Sequence, residues 1–262
     1  MSVLLTLVGL SLAGAFVSGL VGIGGAIVMI PLLLYVPPLL GVGRLDVKTV
    51  SAVTMVQVFV AALSGVVAHH RRGAVRRDLV WVGGMAMAVG SLTGAVLSRY
   101  TDDRTLLLVF GLMTLAALAL LFVPTETVGQ PIFADRVEFN RPKAIVVCAG
   151  VGLVAGLVGA GGAFLLVPLL MVVVGLPIRV TIGSSLAITA LAATAGVAGK
   201  VVTGQVPVDP TLAVVLGAVP GAQLGAMVSR RLSGPGLRRV LIAVTLVSAV
   251  RVWWDLLGPG AR

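Results

Sequence analysis

No charged side chain occurs between Val3 and Gly43, and none between Ala144 and Ile178. Drawn as one helix at 1.5 Å per residue, the first run would be about 60 Å long and the second about 52 Å. A bilayer's hydrocarbon layer is only about 30 Å thick and is crossed by about 20 residues. Five further charge-free runs, 49–68, 79–98, 105–125, 180–199 and 210–229, are each close to a crossing length. The pattern predicts an all-α polytopic membrane protein in which both long runs break or fold back. Composition agrees: 58% of residues are hydrophobic, 11% are charged and mean hydropathy is +1.14, whereas soluble domains carry about a quarter charged residues.

The two overlong runs contain nearly the same phrase, "GLVGIGGAIVMIPLL" from Gly19 and "GLVGAGGAFLLVPLL" from Gly156. Glycine and proline are the poorest helix residues. The breaks are therefore expected at Gly22-Ile23-Gly24-Gly25 and Gly159-Ala160-Gly161-Gly162, with Pro31 and Pro168 weakening each second arm. The correspondence continues along the chain. Ser51 matches Ser184, and Gly65, Gly90, Gly94 and Arg99 match Gly196, Gly221, Gly225 and Arg230. This is a duplicated four-segment unit, as transporter folds often are. The expected organisation is a first membrane repeat at 1–123, a polar linker at 124–143 and a second membrane repeat at 144–262.

If each glycine-broken run is a hairpin returning to its own side, the two repeats are inverted. Loop charges favour this arrangement. "HHRRGAVRRD" and "RRLSGPGLRR" fall on one face, whereas their counterparts "KVVTGQVPVD" and "RYTDDR" are poor in net positive charge and fall on the other. The basic excess of cytoplasmic loops then puts both termini outside. The start "MSVLLTLVGL" has no basic region ahead of its apolar stretch, so a cleaved leader is not expected. The last crossing is expected at Leu237–Leu257, with Arg251 reaching the surface and Trp253 and Trp254 in the interfacial belt.

Several functions are disfavoured. The 19 Lys and Arg against 9 Asp and Glu sit in short loops, which points to membrane topology rather than nucleic acid. The lone Cys148 reads as a packed apolar residue. Ser184-Ser185 would need a base within reach to act as a nucleophile, and the only histidines, His69 and His70, end a span together without a third metal ligand. No catalytic residue, metal site or cofactor is expected. Lys200 counts as a loop residue, and no ionisable group is expected at mid-membrane depth.

That leaves a site made from backbone. A break frees the N–H groups at the start of the following arm, and those amides with the helix dipole favour an anion. Glycine lets a ligand approach without a Cβ in the way. Paired breaks in two repeats point to a transporter's binding site. The candidate substrate-binding residues are Gly22, Gly24, Gly25, Gly159, Gly161 and Gly162. Ser51, Thr54 and Gln57, with Ser184, Ser185, Thr189 and Gln223, are candidate side-chain donors. The paired glycines 90/94 and 221/225 read as helix packing.

The two "GLVGxGG…P" openings, the "SAV"/"SSL" segments, "SGVVAHHRRGAV" with "AGVAGKVVTGQV", and a closing "GxxxGxxxSR" in both halves resemble the TauE/SafE family of sulfite and organosulfur exporters. The resemblance spans almost the whole chain. It implies a multi-pass permease of the prokaryotic plasma (inner) membrane for small anions such as sulfite, sulfoacetate or other sulfonates. The partners expected are that anion and the lipid bilayer, with no nucleic acid; self-association is left open. The leading expectation is a secondary transporter, an exporter, working by alternating access. A passive anion channel and a non-transporting scaffold are the alternatives.

Overall fold

The computed structural model describes residues 2–21, 25–70, 76–123, 139–229 and 234–258. Among these the chain is entirely helical. Its ten α-helices are α1 (Ser2–Val21), α2 (Ala26–Leu39), α3 (Val47–His70), α4 (Arg77–Leu97), α5 (Asp103–Phe122), α6 (Arg141–Val158), α7 (Ala163–Val172), α8 (Ile178–Val202), α9 (Val208–Ser229) and α10 (Gly234–Leu257). Eight are long and apolar enough to cross a membrane, and α2 and α7 are the two shorter ones. Of the expected features, Gly22, Gly24, Arg230 and most of the polar linker lie outside the described residues.

Both long charge-free runs are interrupted. In the second, α6 ends at Val158 and Gly159 adopts φ +78°, followed by Gly161 at +61° and Gly162 at +74°, before α7 begins. In the first, Gly25 precedes α2 at φ +73°. These are left-handed conformations that cost an L-residue about 1–2 kcal/mol, so glycine is required there. Pro31 and Pro168 lie within α2 and α7, and each helix continues through its proline.

Glycines also set which helices touch. A Cβ at Gly90 or Gly94 of α4 would lie under 3.0 Å from backbone atoms of Ala149, Leu153 and Leu157 on α6. The same holds for Gly217, Gly221 and Gly225 of α9 against Val8, Leu12, Phe16 and Leu20 of α1. Contacts advance in the same direction along both partners, so α4 runs parallel to α6 and α9 runs parallel to α1. Along α4 and α8, Gly84 meets Leu191, Ser91 meets Gly196 and Ala95 meets Gly199, so these helices are parallel too. Backbones this close gain dispersion contacts that large side chains would prevent.

Two ends of the bundle can be told apart. At one, here the proximal face, Lys48 Nζ donates to the Arg99 carbonyl (3.1 Å) and the Val47 amide to Asp103 (3.1 Å). The ends of α4 and α8 and the starts of α3, α5 and α9 meet there. The end of α2 joins them, with Tyr35 donating to Asp255 near the end of α10 (3.3 Å). At the other, distal face, α4 starts beside α8, where the Arg76 amide donates to Ser184 Oγ (3.0 Å).

The last span, α10, starts three residues earlier than the expected Leu237 and ends at the expected Leu257. The Arg251 guanidinium lies over the Tyr35 ring, 3.9 Å from its centroid. Trp254 is exposed. Trp253 instead packs on α5 and donates its indole N–H to the Gly111 carbonyl (3.2 Å), so it ties two helices together.

Candidate functional site

Hydroxyls in membrane helices usually bond back to a carbonyl one turn earlier. Thr93, Thr194 and Thr245 follow that rule, donating to Val89, Ala190 and Leu241. Ser51, Thr54, Ser91 and Thr189 do not. Their hydroxyls, together with both polar atoms of the Gln57 amide, are buried with no hydrogen-bond partner. Each of the five residues is 2% exposed or less. A buried polar group without a partner costs about 1–3 kcal/mol. Five in one region amount to a large part of the roughly 5–15 kcal/mol by which a folded domain is stable. Such a cost marks a place where something else supplies the partners.

Helix α3 brings these groups to the glycine breaks. A Cβ at Gly159 would sit 2.5 Å from the carbonyl carbon of Ser51 and 2.6 Å from its Oγ. One at Gly161 would strike the Val58 side chain and lie 3.4 Å from Thr189 Cγ2. At Gly25 it would lie 3.3 Å from Gln57 Nε2 and 2.5 Å from Ser18 Cβ. One helix thus touches both breaks: Ser51 and, two turns on, Val58 meet the second, and Gln57 beside Val58 meets the first. Ser91 reaches the same region from α4: a Cβ at Gly196 would lie 2.6 Å from its Oγ and 2.7 Å from Met55 Cε of α3.

The donors gathered here carry no formal charge. Each hydroxyl supplies one O–H, and the Gln57 amide supplies two N–H groups and one acceptor oxygen. The first amides of α7 lack a carbonyl one turn back, and they enter the same buried zone, with Gly161, Gly162 and Ala163 all enclosed. Chemically the arrangement suits a small solute rich in acceptor atoms. Nearby walls are apolar: Val58, Met55, Met87 and Val151.

Two expected site residues, Ser184 and Gln223, lie apart from this group, and a third, Ser185, bonds within its own helix one turn from Thr189. Ser184 is buried but accepts from the Arg76 amide, capping the start of α4 at the distal face. Ser185 donates to the Ile182 carbonyl of its own helix (3.0 Å). Gln223 is exposed on α9, because Gly221 and Gly225 turn toward α1 and residue 223 falls on the opposite side of the helical wheel. Ser91 was not anticipated; it lies between Gly90 and Gly94 in a stretch that reads as packing.

Lys200, which reads as a loop residue in the sequence, lies instead within a helix. Lys200 is fully buried in the last turn of α8, since that helix runs three residues past its charge-free stretch. Its ammonium donates to Ser98 Oγ at 2.9 Å.

Comparison with known proteins completes the description. A family profile for "Sulfite exporter TauE/SafE" matches residues 6–252. A "Probable membrane transporter protein" of Xylella fastidiosa (strain Temecula1 / ATCC 700964) is 30% identical over 247 residues, covering 91% of this chain and 90% of that one. "Probable membrane transporter protein YunE" of Bacillus subtilis (strain 168) is 27% identical over 268 residues, covering 95% and 97%. No solved structure matches the chain.

Proposed function

Because the chain belongs to the sulfite exporter TauE/SafE family, a family of multi-pass membrane transporters, we propose that it moves a small sulfur oxyanion out of the cell by alternating access. Sulfite, sulfoacetate and other organosulfonates are the substrate class. The anion is held by Ser51, Thr54, Gln57, Ser91 and Thr189 between the two glycine breaks, with Gly25, Gly159, Gly161 and Gly162 letting it reach the main chain.

The observation that carries this reading is the set of unpartnered polar atoms on α3, α4 and α8 packed against both breaks. Several neutral donors, aided by the amino ends of α2 and α7, can replace an anion's hydration shell without a fixed charge that would hold it too tightly. The acceptor oxygen of Gln57 suits an anion that retains a hydrogen, such as hydrogen sulfite. Near-complete burial of all five side chains favours an occluded carrier over an open channel.

Residues 1–123 and 144–262 act as inverted repeats joined by the 124–143 linker. Two features support this. Helix α1 shares its direction with α9, so it starts at the proximal face, where α2 also ends; α6 shares its direction with α4, so it starts at the distal face, where α8 begins. Each broken hairpin therefore enters from its own side. Small rocking of the hairpins against α3 would expose the anion to one face and then the other.

The test is uptake and counterflow in proteoliposomes. Saturable sulfite flux, accelerated by unlabelled anion on the far side, is expected, and a Ser51→Ala plus Gln57→Leu protein should lose at least tenfold. Flux without counterflow would favour a channel, and wild-type protein that neither binds nor moves any of these anions would refute the reading.

A further inference from the structure

We propose that Lys200, with Ser98 and Gln205, forms a second anion station at the proximal face, through which the transported anion passes between the glycine-flanked site and the surface. This rests on the transport reading above. Lys200 is 0% exposed, yet it makes no ion pair among the described residues. Its ammonium has three donors, and one acceptor, Ser98 Oγ, receives one of them.

Ser98 in turn donates its one proton to Gln205 Oε1 (2.9 Å), with the Ala95 carbonyl 2.7 Å away. The Gln205 amide nitrogen donates to the Ala95 carbonyl and to Thr203 Oγ1. Every other polar group in this cluster is therefore matched to a neutral neighbour, and the positive charge alone lacks a counterpart. Taking an ion out of water costs several kcal/mol unless a partner compensates it.

A structural role at the end of its own helix does not account for this lysine. Lysines that stabilise a helix C-terminus bond the last carbonyls or sit in water beside them. Here the Gly199 and Lys200 carbonyls are already taken by Thr203 and Gln205, and the ammonium reaches across to α4. The missing counterpart is a mobile anion.

Position supports the assignment. Along the parallel seam of α4 and α8, unpartnered Ser91 sits against Gly196, then Ala95 against Gly199, then Ser98 against Lys200. Ser91 to Ser98 is about 10 Å of helix rise, a short step from the neutral site to the buried cation. Beyond it, Lys48 stands at the proximal face, bonded to the Arg99 backbone.

The experiment replaces the charge and keeps the length. Lys200→Met and Lys200→Gln are purified beside wild type. Sulfite binding is read by calorimetry, thermal stability in detergent, and flux in proteoliposomes. Wild type is expected to bind and transport. Lys200→Met should melt at or above the wild-type temperature, bind sulfite within threefold of wild type and transport at least tenfold more slowly. Should the Met protein fail to fold, Lys200→Gln is judged by the same three readouts. Unchanged flux would overturn the proposal, as would slowed flux accompanied by lower stability and lost binding, which is the mark of a merely structural lysine. Wild type that neither binds nor moves sulfur oxyanions overturns the transport reading itself, a result separable from any variant's behaviour.

Discussion

Gly159 and Gly175 share a backbone angle, φ +78°, but not their surroundings. At Gly175 nothing lies within 4 Å of an added Cβ, whereas at Gly159 the Ser51 backbone and hydroxyl lie well under 3.0 Å. Alanine at Gly175 therefore bears only the left-handed strain, about 1–2 kcal/mol. Alanine at Gly159 bears the same strain plus the displacement of α3 backbone, typically another 1–3 kcal/mol for overpacking, or about 2–5 kcal/mol together. Denaturant unfolding in detergent micelles, followed by circular dichroism, measures both. Subtracting the two isolates the close approach of the second break to Ser51. Sulfite-induced stabilisation should survive in Gly175→Ala and vanish in Gly159→Ala. Equal destabilisation of the two variants, or retained anion response in Gly159→Ala, would refute the packing of this break against α3.

Three further outcomes are expected. Ser51→Ala, Thr54→Val and Thr189→Val each remove a buried polar atom that lacks a partner, so the ligand-free protein should gain about 1–2 kcal/mol while the apparent affinity for sulfite falls; thermal melts with and without anion check both signs. Gly94→Ala and Gly225→Ala each thrust a Cβ onto the facing backbone of Leu153 or Phe16, and both should lose folded protein by size-exclusion chromatography, whereas Gly9→Ala, with open space around it, should not. Reporters fused after Arg262 should be active outside the cell, since inverted repeats with the more basic loops inside leave the C-terminus there; cytoplasmic activity contradicts that topology.

The breaks were legible because length and bilayer thickness conflict: no 60 Å apolar rod fits a 30 Å layer, and the glycines mark where the chain gives way. Ser51, Thr54 and Gln57 were visible as polar positions in an otherwise apolar span. What the sequence could not supply is the partner of each hydroxyl. Ser51 and Ser184 correspond in the repeat, but Ser184 lies beside the first turn of α4, where an amide needs an acceptor, and Ser51 lies beside Gly159, where none is offered. Ser91 is hidden in the sequence because a serine between paired glycines looks like any small packing residue. Lys200 reads as a loop residue only if a helix stops at its first charge; α8 continues through Val202, held by the Thr203 and Gln205 bonds to its last carbonyls.

The most direct test is to locate the anion. Bromoethanesulfonate carries the sulfonate group and an anomalous scatterer, and crystals grown with it would report its position without reference to side-chain density. The bromine signal is expected among Ser51, Gln57, Ser91 and Thr189, against Gly25 and Gly161, and absent from crystals of Ser51→Ala plus Gln57→Leu. A signal elsewhere in the bundle, in protein that transports the compound, would contradict the site.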